Sequence, residues 1–287
     1  MNKFEYFICI LLLLTFGSCE RKVESCTDEV VKDVPMSQPF FDKDTTVEIS
    51  NGKNPITVTL KLNKGAFKGT IVALPGWNYA ALDWCSKTSL CESATKEGYC
   101  VVLVEMGKSI YATKNYEQTR KDWQNEPTLT WFSEKLIPEI QREFQLLLSD
   151  QSNWLVGLST GARGAFLIAN KNDAIFKGAA CLSGDFDQTA YPQDNLYRGF
   201  FGEYASNKEI WETTEHPLNS MRKKGLRFYF GHGALDQVVP SSHSKYIFNA
   251  LSDSLPTKNV LHIDSNAKHD YDYSNSEVKN VLNFFNQ

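Results

Sequence analysis

The chain has no excess of positive charge. Thirty Lys and Arg stand against 34 Asp and Glu, a formal net charge of -4 at pH 7. That balance argues against nucleic acid as a partner. No apolar run approaches the roughly 20 residues that a bilayer-spanning helix needs. No cysteine–histidine spacing matches a zinc site, and no metal or organic cofactor is implied. Internal repeats and low-complexity tracts are also missing. What remains is a chain of 287 residues, 42% hydrophobic and 13% aromatic. That is ample for one large core and suits a single α/β domain.

The N-terminus is a separate object. Lys3 gives a weak positive start, Phe7 to Phe16 is nearly continuous apolar sequence, and Gly17, Ser18 and Cys19 follow. This pattern resembles a bacterial lipoprotein signal peptide. The resemblance implies residues 1–18 as a cleaved signal, acylation of Cys19, and an exported protein held at the cell envelope by a lipid anchor. Residues 19–45 are charged and polar with Pro35 and Pro39, and read as a tether. The folded domain is expected over 46–287.

There are seven cysteines. With Cys9 in the signal and Cys19 lipidated, Cys26, Cys85, Cys91, Cys100 and Cys181 remain. Cys100 and Cys181 fall in apolar runs and read as buried free thiols. Cys85 and Cys91 fall in one helical stretch. Helical rise would separate their Cα atoms by about 9 Å, too far for a disulfide unless the helix breaks between them.

Alternation over Thr46–Ile49 and Ile56–Leu62 predicts an antiparallel strand pair. Beyond it, short apolar runs alternate with amphipathic segments. The runs are Thr70–Leu74, Cys100–Glu105, Trp154–Gly157, Gly178–Leu182, Leu226–Phe230 and Val260–Ile263. Helices are expected at Leu82–Glu97, Leu129–Leu147, Thr160–Asn170, Ser241–Leu251 and Ser276–Phe285. Such alternation predicts a mostly parallel sheet with helices on both faces. Residues 185–225 interrupt the rhythm with an aromatic-rich insertion. It either covers the strand carboxyl ends, where α/β sheets bind ligands, or packs as an excursion with its own small core.

The sharpest chemical signal is Gly157-Leu158-Ser159-Thr160-Gly161. A G-x-S-x-G pentapeptide is weak alone. Here an apolar run precedes it and a helix-like segment follows, which is the strand–turn–helix setting of a nucleophile elbow. The plain alternative is a serine that only caps a helix. A serine hydroxyl needs a base, and acid and base follow the nucleophile in that fold. His269 suits best, in a polar loop after the last predicted strand. His262 lies inside that strand, His232 in a Gly-His-Gly turn, His216 in the insertion, and His243 at the start of a helix expected on the surface. Asp236, just after the strand ending at Phe230, is the candidate acid, with Asp185 and Asp187 as rivals. Oxyanion donors are expected from the backbone N–H groups of Thr160 and Trp77, with Asn78 in reserve. Asn78, Phe186, Tyr197 and Trp211 are candidate substrate contacts.

Taken together, Gly157–Ala165, Gly231–Pro240 and His269 with Tyr271 resemble the esterase D-like branch of the α/β-hydrolases. The stretch Tyr197–Gly202 to Trp211 resembles the insertion of that branch. The resemblance implies an α/β-hydrolase fold and carboxylic ester hydrolysis through an acyl-enzyme, on small-molecule or oligosaccharide esters such as acylated sugars. Pro75 where relatives often carry histidine, and Thr160 where they often carry methionine, are departures that leave the backbone donors intact. A peptidase or acyltransferase would use the same three residues. A binding protein that merely kept the fold would have no need of all three.

Overall fold

The computed structural model describes residues 36–221, 225–254 and 258–287. The expected signal segment, the expected lipidation site Cys19, and Cys26 lie outside the described residues. Compactness divides the chain into residues 1–35 and 36–287. Part of the expected tether therefore belongs to the folded unit. Phe40 donates its N–H to Phe144 O (2.8 Å), and the Phe41 ring meets Phe144 edge-on.

The sheet begins with β1 (Thr45–Ser50) and β2 (Pro55–Lys61), paired antiparallel. Then come β3 (Gly69–Leu74), α1 (Asp83–Ser86), α2 (Leu90–Lys96) and β4 (Tyr99–Val104). α3 (Leu129–Trp131), a π-helical turn (Phe132–Leu136) and α4 (Ile137–Phe144) form one continuous helical run. β5 (Asn153–Leu158), α5 (Thr160–Lys171) and β6 (Phe176–Leu182) follow. After the insertion, which holds α6 (Asn195–Phe201), come β7 (Arg227–Gly233), α7 (Ser242–Ser254), β8 (Val260–Asp264) and α8 (Tyr271–Phe285).

The eight strands are ordered β1-β2-β4-β3-β5-β6-β7-β8. β3 to β8 run parallel, and β1 and β2 form an antiparallel edge. This is an α/β-hydrolase fold. Successive side chains of a strand face opposite layers, so Val72 and Leu155 enter one core while Ile71, Ala73, Trp154 and Val156 enter the other. Burial on both faces explains why these strands read as unbroken apolar runs.

Three expectations change here. The Leu82–Glu97 helix is two helices, α1 and α2, and the break brings the Cys85 and Cys91 Cα atoms to 5.1 Å in a disulfide. Thr88 makes the break: its Oγ1 bonds back to Trp84 O and accepts from Leu90 N (3.1 Å). The last helix starts at Tyr271 rather than Ser276, because the Asp270 side chain caps it through Tyr273 N (2.9 Å). The Gly231-His232-Gly233 stretch continues β7 instead of turning. Cys100 and Cys181 are buried free thiols, and burial pushes the Cys100 thiol up to about 11.

Candidate active site

Parallel strands deliver their following loops to one rim. Ser159 follows β5, the insertion follows β6, Asp236 follows β7, His269 follows β8, and Pro75–Asn78 follow β3. Ser159 is the residue between β5 and α5, at φ 58° and ψ -123°. That backbone conformation is costly for a residue with a Cβ and must be enforced by its surroundings. Enforcement comes from close packing. A Cβ on Gly157 would lie 2.0 Å from Gly161 O, and one on Gly161 would lie 2.4 Å from Leu74 O and Pro75 O. The Ser159 N–H donates to Leu182 O (2.9 Å), which fixes the elbow to the next strand.

The donor loop is anchored from both sides. Trp84 Nε1 donates to Leu74 O (3.0 Å) and Tyr111 Oη to Pro75 O (3.2 Å). The backbone N–H groups of Trp77 and Thr160 have no partner among the described residues, and both residues line the cavity that holds Ser159. The Asn78 N–H is already given to Gly107 O (2.8 Å), so the reserve donor is spent.

Asp236 is the best-held carboxylate of the rim. Its Oδ1 accepts from Val238 N and Val239 N, both at 2.8 Å. Its Oδ2 accepts from His269 Nδ1 (2.6 Å) and faces His232 Nε2 (3.2 Å). Burial alone would raise its pKa. The hydrogen bonds from His232, His269 and the Val239 amide outweigh that and hold the carboxyl well below the usual range. An ionised Asp236 keeps the His269 proton on Nδ1 and leaves the Nε2 lone pair free. His232 is buried inside β7. Its Nε2 must carry the proton, because Val239 O accepts from it at 2.8 Å, and Ser244 Oγ then donates to Nδ1 (2.7 Å). Expected as part of a Gly-His-Gly turn, His232 stands in the strand, behind Asp236.

Ser159 and His269 make no hydrogen bond to each other. Ser159 lines a cavity of about 270 Å³ with Trp77, Thr160, Asp185, Tyr191, Tyr197, Val239, Pro240 and His243. His269 and Asp236 line an adjoining cleft, and Val238 borders both. Hydrogen bonds of catalytic groups are often long or unformed without substrate. A larger groove of about 630 Å³, lined by Lys68, Lys177 and Arg227, opens at the amino ends of the strands, away from all of these groups.

Of the expected substrate contacts, only Tyr197 lines the serine cavity. Phe186 is fully buried against Phe166 and Phe230. Trp211 is fully buried, with its indole N–H on Gly202 O (3.1 Å). Both were expected on the cavity wall because they are aromatic, and both instead serve as core. Asn78 is exposed and lies outside this cavity. The insertion does have its own small core, in which Tyr197, Phe200, Phe201 and Trp211 pack on Ile110, Ala112 and Trp123. It also supplies the cavity with Asp185, Tyr191 and Tyr197.

The rival acids have other partners. Asp185 takes the Tyr197 hydroxyl, and burial raises its pKa. Asp187 caps a short helical turn through Thr189 N (3.1 Å) and Ala190 N (3.2 Å). Sequence reasoning passed over Arg163, which is fully buried in α5. It donates to Gln188 Oε1 (2.9 Å), Asp185 O (3.3 Å) and Glu215 O (2.6 Å), so it pins both ends of the insertion to the helix behind Ser159. His243 was expected on the surface. It is buried and lines the cavity.

Residues 80–279, well over half of the chain, match the protein family described as Putative esterase. The chain belongs to that esterase family. No curated protein matches it in sequence. Solved structures confirm the fold. FphF, a fluorophosphonate-binding serine hydrolase of Staphylococcus aureus, is similar at 15% identity and TM-score 0.70, covering 88% of this chain and 100% of its own. An S-formylglutathione hydrolase from Agrobacterium tumefaciens is similar at 13% identity and TM-score 0.67, covering 87% and 98%. A ferulic acid esterase is similar at 15% identity and TM-score 0.63, covering 86% and 98%.

Proposed function

We propose that this esterase-family protein hydrolyses carboxylic esters through an acyl-enzyme on Ser159, with His269 as base and Asp236 as its orienting acid. The observation that carries the reading is the Asp236–His269 hydrogen bond, 2.6 Å long, on the same rim as a serine held at φ 58°. Ser159 Oγ attacks the ester carbonyl while His269 Nε2 takes its proton. The imidazolium formed is stabilised by Asp236, which is already ionised. Negative charge on the carbonyl oxygen meets the unspent N–H groups of Thr160, at the start of α5, and of Trp77, in the loop after β3. His269 returns its proton to the leaving alcohol and then draws a proton from water to release the acid.

An acylated sugar or a comparable small oxygenated ester is the substrate class we favour. The cavity is small and walled by aromatic rings, and the similar ferulic acid esterase is an esterase by name. We further propose that the mature chain is anchored through acylated Cys19 at the cell envelope, on the strength of the apolar run and the Gly-Ser-Cys that follows it.

Rapid mixing with 4-nitrophenyl acetate tests the acyl-enzyme. A burst of nitrophenol equal to the protein concentration is expected from wild type, and none from Ser159→Ala. Turnover that survives Ser159→Ala would end the proposal. Radiolabelled palmitate tests the anchor: incorporation should require Cys19, and incorporation into Cys19→Ala would rule that site out.

A further inference from the structure

The cavity beside Ser159 contains one polar group whose orientation can be worked out completely. His243 is 5% exposed, near the start of α7, and it lines this cavity. Its Nδ1 accepts two backbone hydrogen bonds, from Phe186 N (3.1 Å) and Asp187 N (3.2 Å). An atom facing two N–H donors cannot carry a proton of its own, so the ring proton sits on Nε2. Protonating the ring would aim an N–H at both amides, which keeps the imidazole neutral. Burial, the first cause, also holds its pKa below the usual value, although Asp185 and Asp187 pull the other way. Tyr191 stacks on the ring, with centroids 5.2 Å apart and planes 16° apart, and so fixes the direction of Nε2. That Nε2–H has no hydrogen-bond partner among the described residues and is not sealed from solvent.

A neutral N–H in a fixed direction on the wall of a reaction cavity selects what can sit against it. An ammonium group has no lone pair to offer. An anion would meet the carboxylates of Asp185 and Asp194 on the same wall. An apolar group would leave the donor unsatisfied, which costs more than the hydrogen bond itself is worth. A neutral oxygen acceptor suits it. The rings of Trp77, Tyr191 and Tyr197 around it suit the carbon face of a saturated ring.

We propose that His243 is a specificity-determining residue, whose Nε2–H donates to a neutral oxygen (hydroxyl or ring ether) on an oxygenated ring of the substrate. The inference rests on the hydrolase reading above and narrows it. It places the recognised oxygen on whichever part of the ester, acyl or alcohol, occupies this cavity.

Two pairs of esters test it. In each pair the rings have the same shape and differ by one ether oxygen: 4-nitrophenyl cyclohexanecarboxylate against 4-nitrophenyl tetrahydropyran-4-carboxylate, and cyclohexyl acetate against tetrahydropyran-4-yl acetate. Wild type should favour the oxygenated member of one pair by roughly three- to tenfold in kcat/KM, the worth of one neutral hydrogen bond. His243→Asn keeps an oxygen for the Phe186 and Asp187 amides but removes the Nε2–H. The ratio within that pair should then fall to near one, whatever happens to the absolute rates. A ratio that survives His243→Asn, or no preference by wild type in either pair, overturns the proposal. If the variant does not fold, a wild type without preference in either pair still overturns the proposal. Wild type that cleaves none of the four esters and forms no burst would remove the hydrolase reading and this subsite together. A burst without discrimination would remove only the subsite.

Discussion

The elbow at Ser159 and the insertion after β6 meet at the same cavity but are held by different forces. At the elbow the constraint is steric and belongs to the backbone. Two glycines pass so close to neighbouring carbonyls that a single added carbon would lie within 2.4 Å of them. In the insertion the constraint is polar and belongs to side chains. One buried guanidinium holds Asp185 O, Gln188 and Glu215 O, and the Glu215 carboxylate in turn takes Thr113 N (3.0 Å) and the Tyr116 hydroxyl (2.5 Å). Ser159 is thus fixed by short-range geometry that cannot be relaxed in parts. The substrate-facing wall is fixed by a network that can fail while the sheet stays intact.

That contrast can be broken at either end. The largest effect is expected from Gly161→Ala, because its Cβ would collide with backbone carbonyls that have nowhere to go. We expect loss of more than about 4 kcal/mol and global unfolding, seen as a single lowered denaturant midpoint. Arg163→Met comes next. It strands buried acceptors at a cost of about 3–5 kcal/mol. Hydrogen exchange should rise across residues 185–221 and leave β3 to β7 protected. Equal loss of protection in the strands would show that the two regions are one cooperative unit. A smaller effect is expected behind the acid. His232→Phe keeps the ring volume and removes the donor to Asp236, so kcat should fall by roughly tenfold with KM unchanged. His232→Gln, which can place an N–H near the Nε2 position, should recover most of it. The smallest effect concerns charge. Burial holds His216 and His243 below their ordinary pKa. An unperturbed histidine is about three-quarters protonated at pH 6. Both rings should be protonated to a smaller extent than that at pH 6 by NMR. Their sign follows: the unfolded chain takes up protons that the native state refuses, so their contribution to stability is lost as pH falls through about 6.5.

The same contrast explains what could be read from the amino-acid order. The elbow was legible because its steric requirements are written in neighbouring residues, Gly157 to Ala165. Asp236 and His269 were legible as candidates because each follows a strand, and strand order fixes the rim on which they land. The insertion was not legible, since which aromatic faces the cavity depends on partners far along the chain. Phe186 is drawn into the core by Phe166 and Phe230, while Tyr197 is held at the cavity beside Asp185. His243 looked like a helix start on the surface because the amides it accepts from lie more than fifty positions away. The Cys85–Cys91 bond was missed for a local reason. Apolar spacing suggested one helix through Thr88, but the Thr88 hydroxyl competes for the backbone and ends it.

Covalent labelling reads out directly whether Ser159 is a nucleophile activated by His269. A fluorophosphonate probe forms a covalent bond only with an activated serine, and peptide mass spectrometry locates the adduct. One adduct is expected, on Ser159, formed by wild type and abolished in folded Ser159→Ala and His269→Ala variants. A folded wild-type protein that takes no probe, or carries it on a different serine, would contradict it.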